Sequence, residues 1–190
     1  IEVYSIDESF IDLRGMSPDT DFDRWAKNVS RECLRCTGIP VSVGVSPTKT
    51  LAKIASKLCK QYPATRGGCW MHRKQDVEKV LRTFPIEDIW GIGRRYSKRF
   101  RGYFGMNTAW DFYTRDEGWV NGEMGIGGVR TWKELHGIPC IEFEDTEQAK
   151  KQIMISRTFA KDITDPEDLS AQVSMFCAMA VEKLRKQGSC

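Results

Sequence analysis

Residues 49–61 have the pattern that most restricts how this chain can fold. Apolar side chains recur at the spacing of one side of an α-helix, and lysines recur along another side. The apolar set is Leu51, Ile54, Ala55 and Leu58, and the lysine set, which we call the lysine face, is Lys49, Lys53, Lys57 and Lys60. Ser46 and Thr48 are candidate caps for this helix. Because a helix with one apolar side must pack on another layer, the segment predicts a layered domain.

The residues before this helix predict alternating strands and helices. Asp21 is a candidate helix cap, and apolar residues follow it at helical spacing to about Arg35. Residues 39–45 are rich in β-branched side chains, which favour a strand. This order of elements predicts a mixed fold of the α+β class.

Two short apolar runs surround the adjacent acids Asp7 and Glu8. This pattern predicts a β-hairpin with the two acids as a two-residue loop. In that register Tyr4 faces Ile11, and one side of the hairpin forms a core face made of Tyr4, Ile6, Ile11 and Leu13. Two carboxylates at a hairpin tip would suit Mg²⁺, which takes one or two carboxylates together with substrate phosphates. The alternative is an ordinary solvated acidic turn.

Positive charge is concentrated in the middle of the chain. The whole chain has a net charge of +3, but residues 49–103 contain 14 Lys or Arg and four Asp or Glu, so this part carries +10 and the rest −7. Such a distribution favours a phosphate-bearing partner. The lysine face is therefore either a solvated side of its helix or a phosphate-binding surface. Because like charges at this spacing destabilise an isolated helix, we expect a compensating anion.

The sequence disfavours membrane and secreted classes. It contains no apolar run of membrane-spanning length and no secretory leader. Its seven cysteines are irregularly spaced and favour reduced thiols in a cytoplasmic protein, without the ligand pattern of a zinc site. The chain begins inside a strand pattern and without Met, so we expect it to be a fragment.

Residues 89–100 predict a helix-hairpin-helix turn. Gly91 and Gly93 flank Ile92, and glycines allow backbone N–H groups to approach a DNA phosphate closely. The basic side chains that follow are Arg94, Arg95, Lys98 and Arg99. Contacts of this kind bind DNA without reading its sequence. The alternative is an ordinary glycine turn. We expect the similar glycines at 125–128 to serve helix packing, since only one arginine follows them.

Four segments together resemble the Y-family translesion DNA polymerases, and more closely their UmuC type. They are Ser5-Ile6-Asp7-Glu8, Thr48-Lys49-Thr50-Leu51-Ala52-Lys53-Ile54-Ala55, Ile89-Trp90-Gly91-Ile92-Gly93-Arg94-Arg95 and Ile155-Ser156-Arg157-Thr158-Phe159. The resemblance covers essentially the whole chain. It implies the C-terminal part of a palm at 1–71, a helical thumb at 72–138, a linker at 139–152 and the start of a little finger at 153–190. Within the last part, residues 153–159 predict a strand and Asp165 opens a helix toward Lys186, an incomplete β-α piece.

The resemblance also implies site residues. Asp7 and Glu8 would coordinate two catalytic Mg²⁺ ions, and Lys60 would reach the incoming triphosphate. Lys53 and Lys49 share its helix face, and we expect them to support that contact. The expected DNA-binding residues are Gly91, Ile92, Gly93, Arg94, Arg95, Lys98 and Arg157. Because the family's first metal-binding aspartate precedes the acidic motif, the fragment alone is expected to be inactive.

The expected function is error-prone, template-directed nucleotidyl transfer past damaged bases in DNA repair and SOS mutagenesis. Primer-template DNA and a deoxynucleotide are the expected substrates. The family further implies a UmuD-type subunit, a sliding clamp and a recombinase filament as partners, in a bacterial cytoplasm and on the nucleoid. Two alternatives remain: a duplex-DNA-binding module without catalysis, and a nuclease that uses Asp7, Glu8 and Asp12.

Overall fold

A computed structural model describes residues 1–143 and 152–188. The chain divides into two compact units, Ile1–Phe143 and Glu144–Cys190, which are described separately. Most of the expected linker at 139–152 lies outside the described residues. The division of residues 1–138 into palm and thumb stays a prediction.

The first unit contains four short strands and six helices among its described residues. The strands are β1 (Glu2–Val3), β2 (Ser9–Phe10), β3 (Val43–Val45) and β4 (Gly68–Trp70). The helices are α1 (Phe22–Thr37), α2 (Lys49–Gln61), α3 (Lys74–Leu81), α4 (Arg94–Phe104), α5 (Ala109–Tyr113) and α6 (Glu117–Leu135). Single 3₁₀ turns lie at Pro63–Thr65 and Ile86–Asp88. The predicted α+β class is confirmed.

A two-stranded parallel sheet organises the first half of this unit. β3 pairs with β4 so that Gly44 lies beside Cys69, and both α1 and α2 pack on the sheet. A Cβ atom at Gly44 would overlap the backbone of α2 at Ala52, and one at Gly68 would overlap α1 at Ala26. Since successive strand residues point to opposite faces, the two glycines allow one helix to approach closely on each face.

One apolar core runs from α2 to α6. The predicted apolar side of α2 is its starting point, since Leu51, Ile54 and Ala55 are at most 2% exposed. The same cluster continues through Phe100 and Phe112, which are fully buried, and ends at Leu135 on α6. The helices that follow the sheet are therefore held to it by continuous packing.

The predicted hairpin exists, but its predicted register is wrong. β1 pairs antiparallel to β2 with Glu2 opposite Phe10 and Val3 opposite Ser9. The connection is thus a five-residue loop, residues 4–8, in which the backbone N–H groups of Tyr4 and Ser5 both donate to the Glu8 carbonyl at 3.0 Å. The expected core face does not form, because Ile6 is fully exposed and Ile11 is 43% exposed.

Glu134 joins α6 to the start of α2. Its side chain is completely buried, and its carboxylate accepts from the backbone N–H groups of Thr50 at 2.9 Å, Cys140 at 2.7 Å and Ile141 at 3.2 Å. The Thr48 hydroxyl, which caps α2, donates to the Glu134 carbonyl at 2.8 Å. A negative charge at a helix N-terminus is favourable, because the first amides of a helix lack intrahelical acceptors.

Two later segments differ from the sequence predictions. α6 is interrupted at Gly125, whose φ of 66° lies outside the helical range. Gly128 contacts only Met124 of the same helix, and a Cβ at Gly125 or Gly127 would meet open space, so the packing role expected for these glycines stays a prediction. In the second unit no strand forms at 153–159, so the strand predicted there is wrong. The predicted helix does form as α7 (Pro166–Gln187), capped by Asp165.

We expect Glu134→Gln to lower the free energy of unfolding by about 3 kcal/mol, since an amide NH₂ would replace one of the oxygens that buried backbone donors require. Urea unfolding monitored by circular dichroism measures this loss. Glu117→Gln on the same helix is the control, because the Glu117 carboxylate is half-exposed and its one ion pair among the described residues is with Lys133. Its expected cost is below about 0.5 kcal/mol, and equal costs for the two variants would contradict the role of Glu134.

Candidate metal and nucleic-acid site

Asp7 and Glu8 lie at the end of the loop between β1 and β2. The Ser5 hydroxyl donates to Asp7 Oδ1 at 2.7 Å, which fixes one oxygen of that exposed carboxylate. Glu8 Oε2 lies 2.6 Å from Lys53 Nζ on α2. The loop and the lysine face, predicted separately from sequence, are therefore in direct contact.

Asp12 does not extend this pair into a three-carboxylate site. Its carboxylate forms a two-point ion pair with the Arg14 guanidinium, with contacts of 2.6 and 2.9 Å to Oδ2. The hydrogen bonds from Arg14 lower the pKa of Asp12 to about 2. No cluster of three or more potential metal ligands occurs among residues 1–143 and 152–188. The expectation of a nuclease site built from Asp7, Glu8 and Asp12 therefore lacks structural support.

The four lysines of the lysine face have different surroundings. Lys49 is the most enclosed, with its side chain 5% exposed. Its ammonium contacts Glu2 Oε2 at 2.5 Å and donates to the Glu142 carbonyl at 2.7 Å, and it lies over the Phe10 ring. Lys49 therefore has a structural role, and binding a triphosphate would require it to leave these partners.

The next two lysines pair with acids from other elements. Lys53 is 23% exposed and contacts Glu8. Lys57 is 39% exposed and lies 2.5 Å from Asp88 Oδ1 in the turn before α4. Lys60 is exposed and makes no ion pair within the described part of the chain. The expected compensating anions are thus supplied largely by the protein's own carboxylates, and Lys60 is the member open to an external phosphate.

An aromatic cluster connects the acidic loop to the glycine turn. The Trp90 indole N–H donates to the Tyr4 hydroxyl at 3.0 Å, and the two rings meet edge to face with centroids 5.2 Å apart. Phe10 contacts both rings. Lys53 Nζ lies 4.9 Å from the Tyr4 ring centre and 5.3 Å from the Trp90 ring centre, within cation–π range. The sequence gives no signal for this cluster beyond the aromatic character of the three residues.

The structure accounts for the two glycines of the turn in different ways. Gly91 has a φ of 96°, and a Cβ atom there would collide with the Thr131 hydroxyl on α6. Gly93 precedes the first residue of α4 with an ordinary φ of −77° and open space where a Cβ would lie. Ile92 is 3% exposed, so its side chain belongs to the core and only its backbone can face a ligand. Gly91 shapes the turn, whereas Gly93 leaves the helix N-terminus accessible.

Basic side chains surround that N-terminus. Arg94, Arg95 and Lys98 are exposed, and none of them forms an ion pair within the described residues. By contrast, Arg99 pairs with Glu123 at 2.7 Å and Arg101 pairs with Glu87 at 2.6 Å. An external anion would therefore displace no carboxylate from these three side chains, although Arg95 lies over the Tyr96 ring. Their binding to a DNA phosphate stays a prediction.

The remaining predicted DNA contact, Arg157, lies in the second unit. It is exposed, and its guanidinium donates to the Ser156 carbonyl at 2.9 Å. Its contact with DNA stays a prediction.

The donor set at the acidic loop suits Mg²⁺. Hard oxygen ligands are what this ion prefers, and it commonly uses one or two protein carboxylates and completes its shell with water and phosphate. Asp7 and Glu8 supply two adjacent, accessible carboxylates of this type. These two carboxylates would hold the ion, and water and phosphate oxygens would supply its remaining ligands.

Comparisons with known proteins show the family of the chain. Residues 1–57 match the impB/mucB/samB family, residues 74–105 match the helix-hairpin-helix motif of the same family, and residues 150–190 match the C-terminal domain of the impB/mucB/samB family. No helix in the described ranges is both long and apolar enough to cross a membrane.

Individual proteins are similar over nearly the whole chain. Protein UmuC of Salmonella typhimurium is 36% identical over 97% of this chain, and DNA polymerase IV of Staphylococcus aureus is 29% identical over 98%. These matches span 44% and 55% of the two relatives, so the chain covers about half their length. A solved post-insertion binary complex of Dbh DNA polymerase superimposes with a TM-score of 0.50 at 25% identity, covering 65% of this chain and 35% of that one.

These matches place the chain among the relatives of protein UmuC and DNA polymerase IV. Within this group, the chain belongs to the impB/mucB/samB family of Y-family proteins, which confirms the resemblance drawn from its motifs.

We expect Gly91→Ala to lower the free energy of unfolding by about 2 kcal/mol, because it forces a Cβ into a positive-φ conformation and against Thr131. Gly93→Ala is the matched control two residues away, with an expected change within about 0.5 kcal/mol. Chemical denaturation of both variants measures the difference. A Gly93→Ala variant as unstable as Gly91→Ala would show that the two positions are not distinct.

Proposed function

We propose that the protein containing this chain is a DNA-directed DNA polymerase that transfers nucleotides to a primer opposite a damaged template. One observation supports the proposal most directly. The acidic loop, the lysine face and the glycine turn meet in one unit, through the 2.6 Å contact of Glu8 with Lys53 and the 3.0 Å contact of Tyr4 with Trp90. The similarity to DNA polymerase IV and protein UmuC supports the same assignment.

Each part of this site has a role in the proposed reaction. Asp7 and Glu8 would hold Mg²⁺, which when bound supplies positive charge to the phosphoryl group that is transferred. Lys60 would neutralise the triphosphate, since its ammonium is exposed on the same helix face as Lys53. The accessible backbone N–H groups at the start of α4 would bind a DNA phosphate and so hold the primer-template duplex in register.

The finer parts of the proposal follow from the similarity to UmuC. They are error-prone synthesis past lesions, a role in SOS mutagenesis, and association with a UmuD-type subunit, a sliding clamp and a recombinase filament. The cytoplasm and the nucleoid are the proposed locations. Arg157 would add a DNA contact from the second unit.

We expect the double variant Asp7→Asn, Glu8→Gln to reduce primer extension by the full protein about 100-fold or more, because loss of metal charge removes several kcal/mol of transition-state stabilisation. A primer-extension assay with Mg²⁺ measures this loss. Asp12→Asn is the control, since Asp12 is paired with Arg14 and lies outside the proposed site. Unchanged extension by the double variant would overturn the polymerase assignment.

A duplex-DNA-binding module without catalysis is the second candidate function. It is favoured by the basic side chains at the start of α4 that form no ion pair with any residue the structure describes. Both candidates predict that Arg94→Ala, Arg95→Ala weakens duplex binding and reduces the salt dependence of log Kd by about one or two units, because each lost phosphate contact removes close to one. Fluorescence anisotropy at several salt concentrations measures the slope. Arg101→Ala is the control, since Arg101 is held by Glu87, and an unchanged slope in the double variant would exclude this turn as the DNA contact. The candidates separate on Mg²⁺-dependent extension, which only the polymerase assignment predicts.

A further inference from the structure

The positive charge of Lys53 opposes the binding of a metal ion at Glu8. Its ammonium lies 2.6 Å from Glu8 Oε2. Glu8 is one of the two carboxylates proposed to hold Mg²⁺. A divalent cation entering at Glu8 would meet this positive charge at a distance of a few ångströms. The repulsion is appreciable even in a solvated site, because it scales with the product of the two charges.

The surroundings of Lys53 keep it beside Glu8. The Tyr4 and Trp90 rings lie 4.9 and 5.3 Å from its ammonium and provide a cation–π environment. Tyr4 belongs to the acidic loop and Trp90 to the glycine turn, and their hydrogen bond joins the two. Lys53 is nevertheless 23% exposed, and the Glu8 side chain is 47% exposed. The pair is therefore held in place but open to an incoming ligand.

The neighbouring lysines do not combine these properties. Lys49 is buried among Glu2, Phe10 and the Glu142 carbonyl. Lys57 pairs with Asp88, which is not one of the proposed metal ligands. Lys60 has no carboxylate partner among the described residues. Within the lysine face, only Lys53 is both accessible and paired with a proposed metal ligand. It also lies on the same side of α2 as Lys60, the residue proposed to bind the triphosphate.

From this geometry we infer that Lys53 exchanges partners when a metal–nucleotide complex binds. In the free protein it neutralises Glu8 and weakens the binding of divalent metal alone. When the complex arrives, the metal takes the Glu8 carboxylate and the triphosphate takes the Lys53 ammonium, so each displaced charge finds an opposite charge. Metal and nucleotide thus bind cooperatively, and Lys53 acts as a positioning residue for Glu8. This inference rests on the proposed function and specifies how its site would load.

The test measures binding of Mn²⁺, as a spectroscopic substitute for Mg²⁺, to the purified full protein by electron paramagnetic resonance. We expect Lys53→Met to tighten Mn²⁺ binding about tenfold in the absence of nucleotide, because it removes the opposing charge while keeping a side chain of similar length. Lys57→Met is the matched control, one helical turn away and also removing an ion-paired lysine, with an expected change below about twofold. Lys53→Arg keeps the charge and should bind Mn²⁺ as the unmodified protein does.

A double-mutant cycle with Glu8→Gln assigns the effect to the pair. The tightening caused by Lys53→Met should disappear in the Glu8→Gln background. A non-hydrolysable deoxynucleotide should increase Mn²⁺ affinity more in the unmodified protein than in Lys53→Met, since only the former can pass its lysine to the triphosphate.

The outcomes separate the inference from the proposed function. If Asp7→Asn and Glu8→Gln leave Mn²⁺ binding unchanged, the metal pair and with it the proposed site are wrong. If those substitutions weaken binding but Lys53→Met leaves it unchanged or weakens it, the proposed site stands and the partner exchange is overturned. Tightening that persists in the Glu8→Gln background would likewise overturn the exchange.

Discussion

The buried carboxylate of Glu134 is the interaction on which the arrangement of the first unit depends. It accepts from the Thr50 N–H at the first turn of α2 and from two N–H groups after α6. This one side chain therefore links the start of α2 to the segment that follows α6. A buried anion is costly unless hydrogen bonds replace its lost hydration. These three backbone donors provide that replacement. Because the loss of any of these hydrogen bonds would leave the buried carboxylate under-solvated, they hold α2 in one position relative to α6. Every lysine of the lysine face takes its position from α2.

Once α2 is fixed, the charge on its exposed side determines which loops can lie beside it. Acids from three separate places pair with successive lysines: Glu2 from β1, Glu8 from the acidic loop and Asp88 from the turn before α4. Each pair is modest because most of these side chains retain some solvent contact. Together they align the loop and the turn along one helix. The row of lysines is therefore partly a scaffold that orders the acidic loop, in addition to any role with phosphate.

Local patterns in the sequence predict the elements well and their partners poorly. The caps at Asp21 and Thr48 are confirmed, because a cap is decided within three residues of its helix. The predicted hairpin register is wrong because a two-residue loop of Asp7 and Glu8 would need positive φ values, and no non-glycine residue among those described has one. The longer loop that forms instead carries Tyr4, whose hydroxyl accepts from the indole of Trp90, 86 residues away. Glu134 was likewise not predicted: a glutamate near the end of an amphipathic helix gives no sign that it will be buried against another helix 84 residues earlier. The sequence thus predicts which residues carry the chemistry, while the contacts that position them are long-range.

The spacing of the lysines shows why periodicity alone cannot assign their roles. Four equally charged side chains follow one helical repeat, yet their exposure increases from Lys49, which is 5% exposed, through Lys53 and Lys57 to the open Lys60. The gradient follows the number of partners: Lys49 contacts Glu2, the Glu142 carbonyl and the Phe10 ring, whereas Lys60 forms no ion pair among the described residues. An ammonium group with full protein contacts is costly to withdraw, and one with none is immediately available to a phosphate. Lys53 lies between these limits, and this intermediate exposure is what allows a paired lysine to change partners.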